Sequence, residues 1–428
     1  MNKYVILGAG IAGICCGYFL DNKFVTIYEK DNEYGGLCGN IKVNKFIFDK
    51  AVHLSFTKSH IVRSIFDKTP YNKFNPQPYN YYKGLWIRHP IQNNLYQLSI
   101  EDRIKCIKSF LERSNTKKEF SNYEEWLYNQ YGKYISDKFP KIYTRKYWCT
   151  EASQLGTGWI NNRMYRPSID EILYGAMSDK TENVYYAKEM RYPKQGGYKS
   201  FLNPMVNNIN IKLNKKAILI DATNKYIEFK DGTKVYYETL ISSIPVPELI
   251  GILKDTPREV IYASNKLMAT SMKLVSVGFN RPDIIDKLWF YIYDEDILPA
   301  RAYSPSLKSR NNVPNGCSSI QFEIYESPCK KVNMSNSNLC EYIEKCIIKM
   351  NIASKNDILF MNVKNVDYAN VIFYSDIYRN REIIQGYLKK VGIYCIGRFG
   401  KWDYLWSDQS FLSGMNMAIK LKNEAGIY

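Results

Sequence analysis

Gly8, Gly10 and Gly13, with Glu29 twenty-one residues beyond the first of them, have the types and spacing of a dinucleotide site. The first glycine permits a tight turn, the second lets a pyrophosphate approach the backbone, and the third allows close helix-to-strand packing. A carboxylate at Glu29 can then bind ribose hydroxyls. Near the other end, residues 396–414 read as a glycine-punctuated loop carrying Arg398 and Tyr404, followed by a helix capped near Asp408. The N–H groups of such a helix end suit an anion.

The flanking elements decide whether these residues can act. Residues 4–7 are a short apolar run before the glycines, residues 14–20 are helical in pattern, and a second strand over 24–28 ends in Glu29. That is the strand-turn-helix-strand context the fingerprint requires. A buried strand over 393–396 precedes the C-terminal loop. Between the two ends, apolar spacing predicts helices over 99–111, 123–135 and 169–177, a mainly helical insertion. Tyr192-Pro193 and Gly196-Gly197 mark a return, followed by short strands over 210–215, 217–222, 226–230 and 235–237, with Asp231-Gly232 as a hairpin turn. Residues 239–244 read as a buried strand rejoining the nucleotide-binding sheet, and 274–279, 288–293 and 319–325 as a further β set. The fold class is α/β: a Rossmann-like nucleotide-binding domain in three pieces (1–90, 183–255 and 379–428), a helical insertion (91–182) and an antiparallel sheet domain (256–378).

Bulk properties narrow the function. The 428 residues carry 59 Lys+Arg against 42 Asp+Glu, a formal charge of +17, yet no basic block exceeds two residues. The charge is spread over the surface, which argues against nucleic-acid binding and favours an anionic small molecule. Ten scattered cysteines without a CxxC pair read as free thiols of a reducing cytoplasm, the expected location. His53, His60 and His89 are the only histidines, too few for a zinc site or a His-centred triad to be expected. No apolar run reaches membrane-spanning length, and residues 4–20 lack a signal-peptide cleavage pattern.

Gly35-Gly36-Leu37, followed by a hairpin-like stretch ending in Asp49, resembles the FAD-binding amine-oxidase-like flavoproteins, whose second glycine pair lies under the flavin. FAD is therefore the expected dinucleotide. Taken in order, residues 8–13, 35–37, 49–56, the Pro-Ile-Gln-Asn-Asn run at 90–94, 159–167, Gly196-Gly197, 289–301, 319–327 and 397–414 resemble the UDP-galactopyranose mutases, the long eukaryotic-type branch more than the bacterial one. The resemblance implies a GR2-type flavoprotein that isomerises a nucleotide-linked sugar between pyranose and furanose forms. N5 of the reduced flavin would attack the anomeric carbon, with the protein supplying orientation and charge. The implied substrate is a UDP-galactose-like sugar on UDP, dTDP or GDP, and NAD(P)H or another donor would reduce the flavin. A homo-oligomer is compatible with it.

The same resemblance implies roles for individual residues. Arg301 matches an arginine gripping both phosphates, Tyr303 a neighbouring phosphate-binding tyrosine, and Arg163 a second arginine on a flap that opens with Trp159. Tyr291 and Tyr404 match substrate-facing tyrosines, Gln92 a residue touching the base, and Arg398 an arginine beside the flavin. Gly36 and Leu37 fall under the flavin, the helix end at Asp408 faces its pyrimidine, and the backbone at His53 faces N5.

There are departures. Where the family has two glycines before that histidine, this chain has Ala51-Val52, and valine at positive φ would be costly. Asn370 stands where a phosphate-binding tyrosine is often found, with Tyr368 as a candidate to compensate, and Ala187 stands near an expected asparagine. Two alternatives have distinct signatures. An amine-oxidase- or protoporphyrinogen-oxidase-like enzyme would have a deep aromatic pocket without paired arginines. A non-catalytic scaffold would have Arg163 and Arg301 pointing apart.

Overall fold

The computed structural model describes residues 2–20, 22–114, 119–160 and 163–426. Strand β1 (Asn2–Leu7) lies between β2 (Val25–Tyr28) and Lys234–Ser242, parallel to both. Ile393–Cys395 and Ile211–Lys212 extend this sheet in parallel on its two sides. Val5, Ile6, Val25 and Ile27 are buried, the continuous apolar character of strands covered on both faces. Helix α1 (Ile11–Phe19) connects β1 to β2 and packs along the C-terminal helix Ser407–Glu424. The strands expected separately at 235–237 and 239–244 are one strand, Lys234–Ser242. Its first half pairs antiparallel with Tyr226–Phe229 and its second half joins the parallel sheet.

A second seven-stranded sheet runs in the order Ile358–Val371, Ala269–Phe279, Ser318–Glu326, Arg301–Tyr303, Trp289–Ile292, Tyr79–Tyr82, Leu85–Arg88. Its last two strands fall within residues 1–90, the span expected to belong to the nucleotide-binding domain. Phe290 pairs in parallel with Tyr79 across more than two hundred residues, so the edge of that sheet is recruited from the head of the chain. Helix Asn336–Lys349 covers one face through Leu339, Ile343, Cys346 and Ile347, a helical-period stripe.

The insertion is helical as expected, with Ile100–Leu111, Tyr123–Tyr131, Lys133–Lys138, Pro140–Tyr147 and Ile169–Met177. The helix expected over 123–135 is broken. Gly132 has φ +79°, and a Cβ there would lie 2.0 Å from Ser109 O, so this glycine lets the chain turn hard against its neighbour helix. Among the described residues no helix is long and apolar enough to cross a membrane.

Candidate active site

A cavity of about 1760 Å³ runs from the Gly8 turn, between the two sheets, to the helical insertion. At its nucleotide end Gly8 has φ +95° and its N–H donates to Tyr28 O at 2.8 Å. A Cβ on Gly13 would lie 2.0 Å from Gly8 O, whereas one on Gly10 would meet nothing within 4 Å. The first pair is packed together and the middle glycine faces open space, as a pyrophosphate site needs. No side chain caps α1 at Gly10, so its first-turn N–H groups are available to an anion. Glu29 is buried. Its Oε2 accepts from Ala9 N at 2.7 Å and its Oε1 from Asp31 N at 3.0 Å. Burial raises its pKa, against the pull of those two N–H groups.

Gly35 N–H donates to Ala9 O at 2.8 Å, and a Cβ on Gly36 would lie 3.2 Å from Gly10 Cα. The second glycine pair is thus folded onto the first, with Leu37 lining the cavity. On the other wall, Gly397 donates its N–H to Ser413 Oγ at 3.0 Å, and Arg398, Ser407 and Ser410 line the same space. These features fit FAD: an open phosphate turn, a carboxylate lining the cavity just past the end of the second strand, and a helix N-terminus facing the cavity. The helix starts otherwise than expected. Its cap residue is Trp406, whose N–H donates to Gln409 Oε1 at 2.9 Å, and Asp408 sits inside the first turn, off the cavity lining.

The loop before His53 resolves the Ala51-Val52 departure. The positive φ falls on Ala51, at +94°, and Val52 is outside the left-handed region. Val52 N–H instead donates to Glu323 Oε1 at 2.8 Å. His53 Nδ1 lies 3.1 Å from Ala51 O, and its ring is 5.1 Å from that of Tyr198. Burial pushes its pKa down to about 4, so the imidazole is neutral at neutral pH.

At the far end, Arg301 gives Nε and Nη2 to Glu323 Oε2 at 2.8 and 2.6 Å and also approaches Tyr325 OH at 3.2 Å. Arg163 donates Nη2 to Tyr404 O and lies over the Tyr404 and Trp406 rings at 4.6 and 4.7 Å. Its Nε is buried without a partner. The two arginines are linked: Tyr404 OH is 3.5 Å from Tyr147 OH, and the Tyr147 ring is 5.8 Å from the Arg301 guanidinium. Asn370 Oδ1 accepts from Tyr147 OH at 3.0 Å and from Arg398 Nη2 at 2.7 Å, while its Nδ2 is buried and unpartnered. Because a guanidinium only donates, the amide orientation is determined, with Oδ1 toward Arg398.

Arg163, Arg301, Arg398, His53, Gln92, Trp159, Tyr291, Asn370 and Tyr404 all line this one cavity. Trp159 donates its indole N–H to Gly156 O at 2.8 Å, so only its ring is open to a ligand. Tyr303 does not reach the cavity. It is fully buried, its hydroxyl donating to Gln321 Oε1 at 2.8 Å and meeting the Asp49 backbone, because its strand passes beneath the Asp49 turn. Tyr368 lines the cavity against Phe399 and Trp402, at 5.7 and 6.1 Å, whereas the tyrosine that meets Asn370 is Tyr147. Sequence reading passed over Tyr147. With Tyr143 it forms an i, i+4 aromatic pair on a helix, a pattern that reads as core. His89, Tyr185 and Tyr186 also line the cavity and carried no motif.

Residues 6–69 match the family model of the NAD(P)-binding Rossmann-like domain. The whole chain is similar to a solved structure of reduced UDP-galactopyranose mutase: TM-score 0.92 and 25% identity, over 100% of this chain and 94% of that one. A protein described as a protoporphyrinogen oxidase from Exiguobacterium sp. 255-15 aligns over 99% of both chains, with TM-score 0.76 and 14% identity. A putrescine oxidase variant covers 98% of this chain and 99% of its own, with TM-score 0.67 and 11% identity. The last two share the fold. The fold expected from the sequence is borne out: the chain has the architecture of the solved UDP-galactopyranose mutase, built on a Rossmann-like nucleotide-binding domain.

Proposed function

We propose that this chain is a flavin-dependent nucleotide-sugar mutase, interconverting pyranose and furanose forms of a UDP-galactose-like sugar. The observation that carries the reading is the pair of arginines, Arg163 and Arg301, lining one cavity and joined through Tyr404 and Tyr147. A diphosphate between them would take charge-assisted hydrogen bonds from both, each worth about 1.5–3 kcal/mol. FAD, held by Gly8, Gly10, Glu29, Gly36, Leu37 and Arg398, would supply in its reduced form a nucleophile for the anomeric carbon. The chain's own task is then to bind and orient. Trp159 and Tyr291 offer ring faces and Gln92 an amide. His53 and His89, both driven neutral by burial, add no positive charge at neutral pH.

The test is direct. Dithionite-reduced protein is incubated with UDP-galactose and with other UDP-, dTDP- and GDP-sugars, and ring-isomer products are separated by chromatography. Conversion of one of them is expected. If none is converted and none perturbs the reduced-flavin spectrum, the reading fails. An oxidase reading has the aromatic lining in its favour, with Tyr185, Tyr186, Trp289 and Trp406 around the cavity. It predicts that an amine bleaches the oxidised flavin. Two guanidiniums in the same space oppose an ammonium substrate.

A further inference from the structure

We propose that Tyr147 is a substrate-binding residue, its hydroxyl donating to the diphosphate in the place that the short side chain of Asn370 leaves unfilled, an inference that rests on the functional reading above. Tyr147 ends the helix Pro140–Tyr147 of the insertion and lines the cavity. Three aromatic neighbours fix its ring. Tyr143 stacks on it at 5.5 Å with 19° between the planes, Tyr325 lies at 4.7 Å, and Trp148 meets it edge-on at 5.0 Å. A side chain held this way loses little further freedom on binding a ligand. Its hydroxyl sits among cations. The ring is 5.8 Å from the Arg301 guanidinium, and Arg398 Nη2 bonds the same Asn370 Oδ1 that accepts from Tyr147 OH. Tyr404 OH, from the ring that Arg163 covers, is 3.5 Å away. An anion drawn to these arginines arrives beside the Tyr147 hydroxyl.

A tyrosine hydroxyl has one proton to donate. Here it goes to Asn370 Oδ1 at 3.0 Å. That acceptor also holds Arg398 Nη2 at 2.7 Å, so turning the Tyr147 proton to a phosphate oxygen leaves no acceptor stranded. The bond gained is charge-assisted and stronger than the neutral one it replaces. Burial raises the Tyr147 pKa, against the pull of Arg301 and Arg398, so the hydroxyl keeps its proton at neutral pH. The same distances leave room for one phenol only. Asn370 already reaches Tyr147 OH with its amide oxygen, so the longer side chain of a tyrosine at 370 would enter the space of the Tyr147 ring. This chain supplies the phenol from the insertion, not from the strand Ile358–Val371.

The experiment uses the FAD-loaded chain, UDP as the probe and uridine as its phosphate-free control. Tyr147→Phe removes one oxygen and keeps the packed ring. It should bind UDP about 10- to 100-fold more weakly, the worth of one hydrogen bond to a charged group, with uridine affinity, FAD content and melting temperature unchanged. Tyr147→Ala should lose UDP affinity as well, and adding Asn370→Tyr should restore about tenfold or more of it by returning a phenol to the same space. A role in packing alone gives different results. Tyr147→Phe would then bind UDP as wild type does, or UDP and uridine would weaken by one common factor. Either outcome overturns this inference alone, as does a double variant that holds FAD yet binds UDP no better than Tyr147→Ala. A wild-type protein that binds no UDP overturns the functional reading and this inference with it.

Discussion

Arg301 is tied to Glu323 by two hydrogen bonds, whereas Arg163 rests on the Tyr404 and Trp406 rings and a backbone carbonyl. Their removal should therefore differ in kind. Arg163→Ala should weaken UDP binding about 10- to 100-fold, the worth of one charge-assisted contact, and change stability by under about 1 kcal/mol. Calorimetric titration beside a denaturation curve checks both. Arg301→Ala should weaken binding too, but also strand a buried carboxylate at a cost of about 3–5 kcal/mol. A second residue-scale expectation concerns pH. Burial holds the pKa of His53 down at about 4 and that of His89 at about 3, against an ordinary 6.5. Between those values the unfolded chain binds more protons than the native one, so stability present above about pH 6.5 is lost as pH falls toward 4. Melting temperatures should fall across that window, and His89→Gln should flatten the slope; an unchanged slope would mean His89 is not a contributor. Motif order made Arg163, Arg301, Arg398 and Tyr404 legible in the sequence. It misassigned Tyr303, because a position in a motif does not say what lies above a strand.

At the scale of elements, the cofactor site depends on how α1 meets the C-terminal helix. A Cβ on Gly414 would lie 2.2 Å from Ala12 O and 3.0 Å from Cys16 N. Gly414→Ala must push those helices apart, and with them the Gly8 turn and the Arg398 loop. FAD affinity of the apoprotein should fall more than tenfold by fluorescence titration, with about 1–3 kcal/mol lost in stability from overpacking. An FAD affinity equal to wild type would show that the helix contact does not set the site. Strands with continuous apolar runs and the first helix were readable because their signals are local. The break at Gly132 and the helix start at Trp406 were not. The former answers to Ser109 on another helix, and Ser407 Oγ is engaged by Tyr198 OH at 2.7 Å.

For the whole molecule, three chain segments meet at a buried ion pair. Lys308 Nζ donates to Asp49 Oδ2 at 2.7 Å with both side chains fully buried. Tyr192 OH and Tyr198 N–H complete the carboxylate's shell at 2.9–3.0 Å. Lys308→Met leaves that carboxylate uncompensated and should cost about 3–5 kcal/mol in urea denaturation. Adding Asp49→Asn should recover part of it, and strict additivity of the two losses would show the pair is not coupled. Lys308 ends the one-turn helix Pro305–Lys308, and nothing in its sequence neighbours predicts full burial. The sequence by itself determined the nucleotide half of the protein, residues 8–13, 29 and 35–37. Turn geometry, helix entry and close backbone approach depend on consecutive residues and leave a fixed spacing. Only the tertiary structure decided what meets across the cleft: Tyr147 with Asn370, Glu323 with Val52 and Lys308 with Asp49, at separations of 223, 271 and 259 residues. Those pairings follow from burial. A polar group taken from water must find a partner, and which partner is near is set by the packing of two sheets and a helical insertion, not by the residues beside it in the chain.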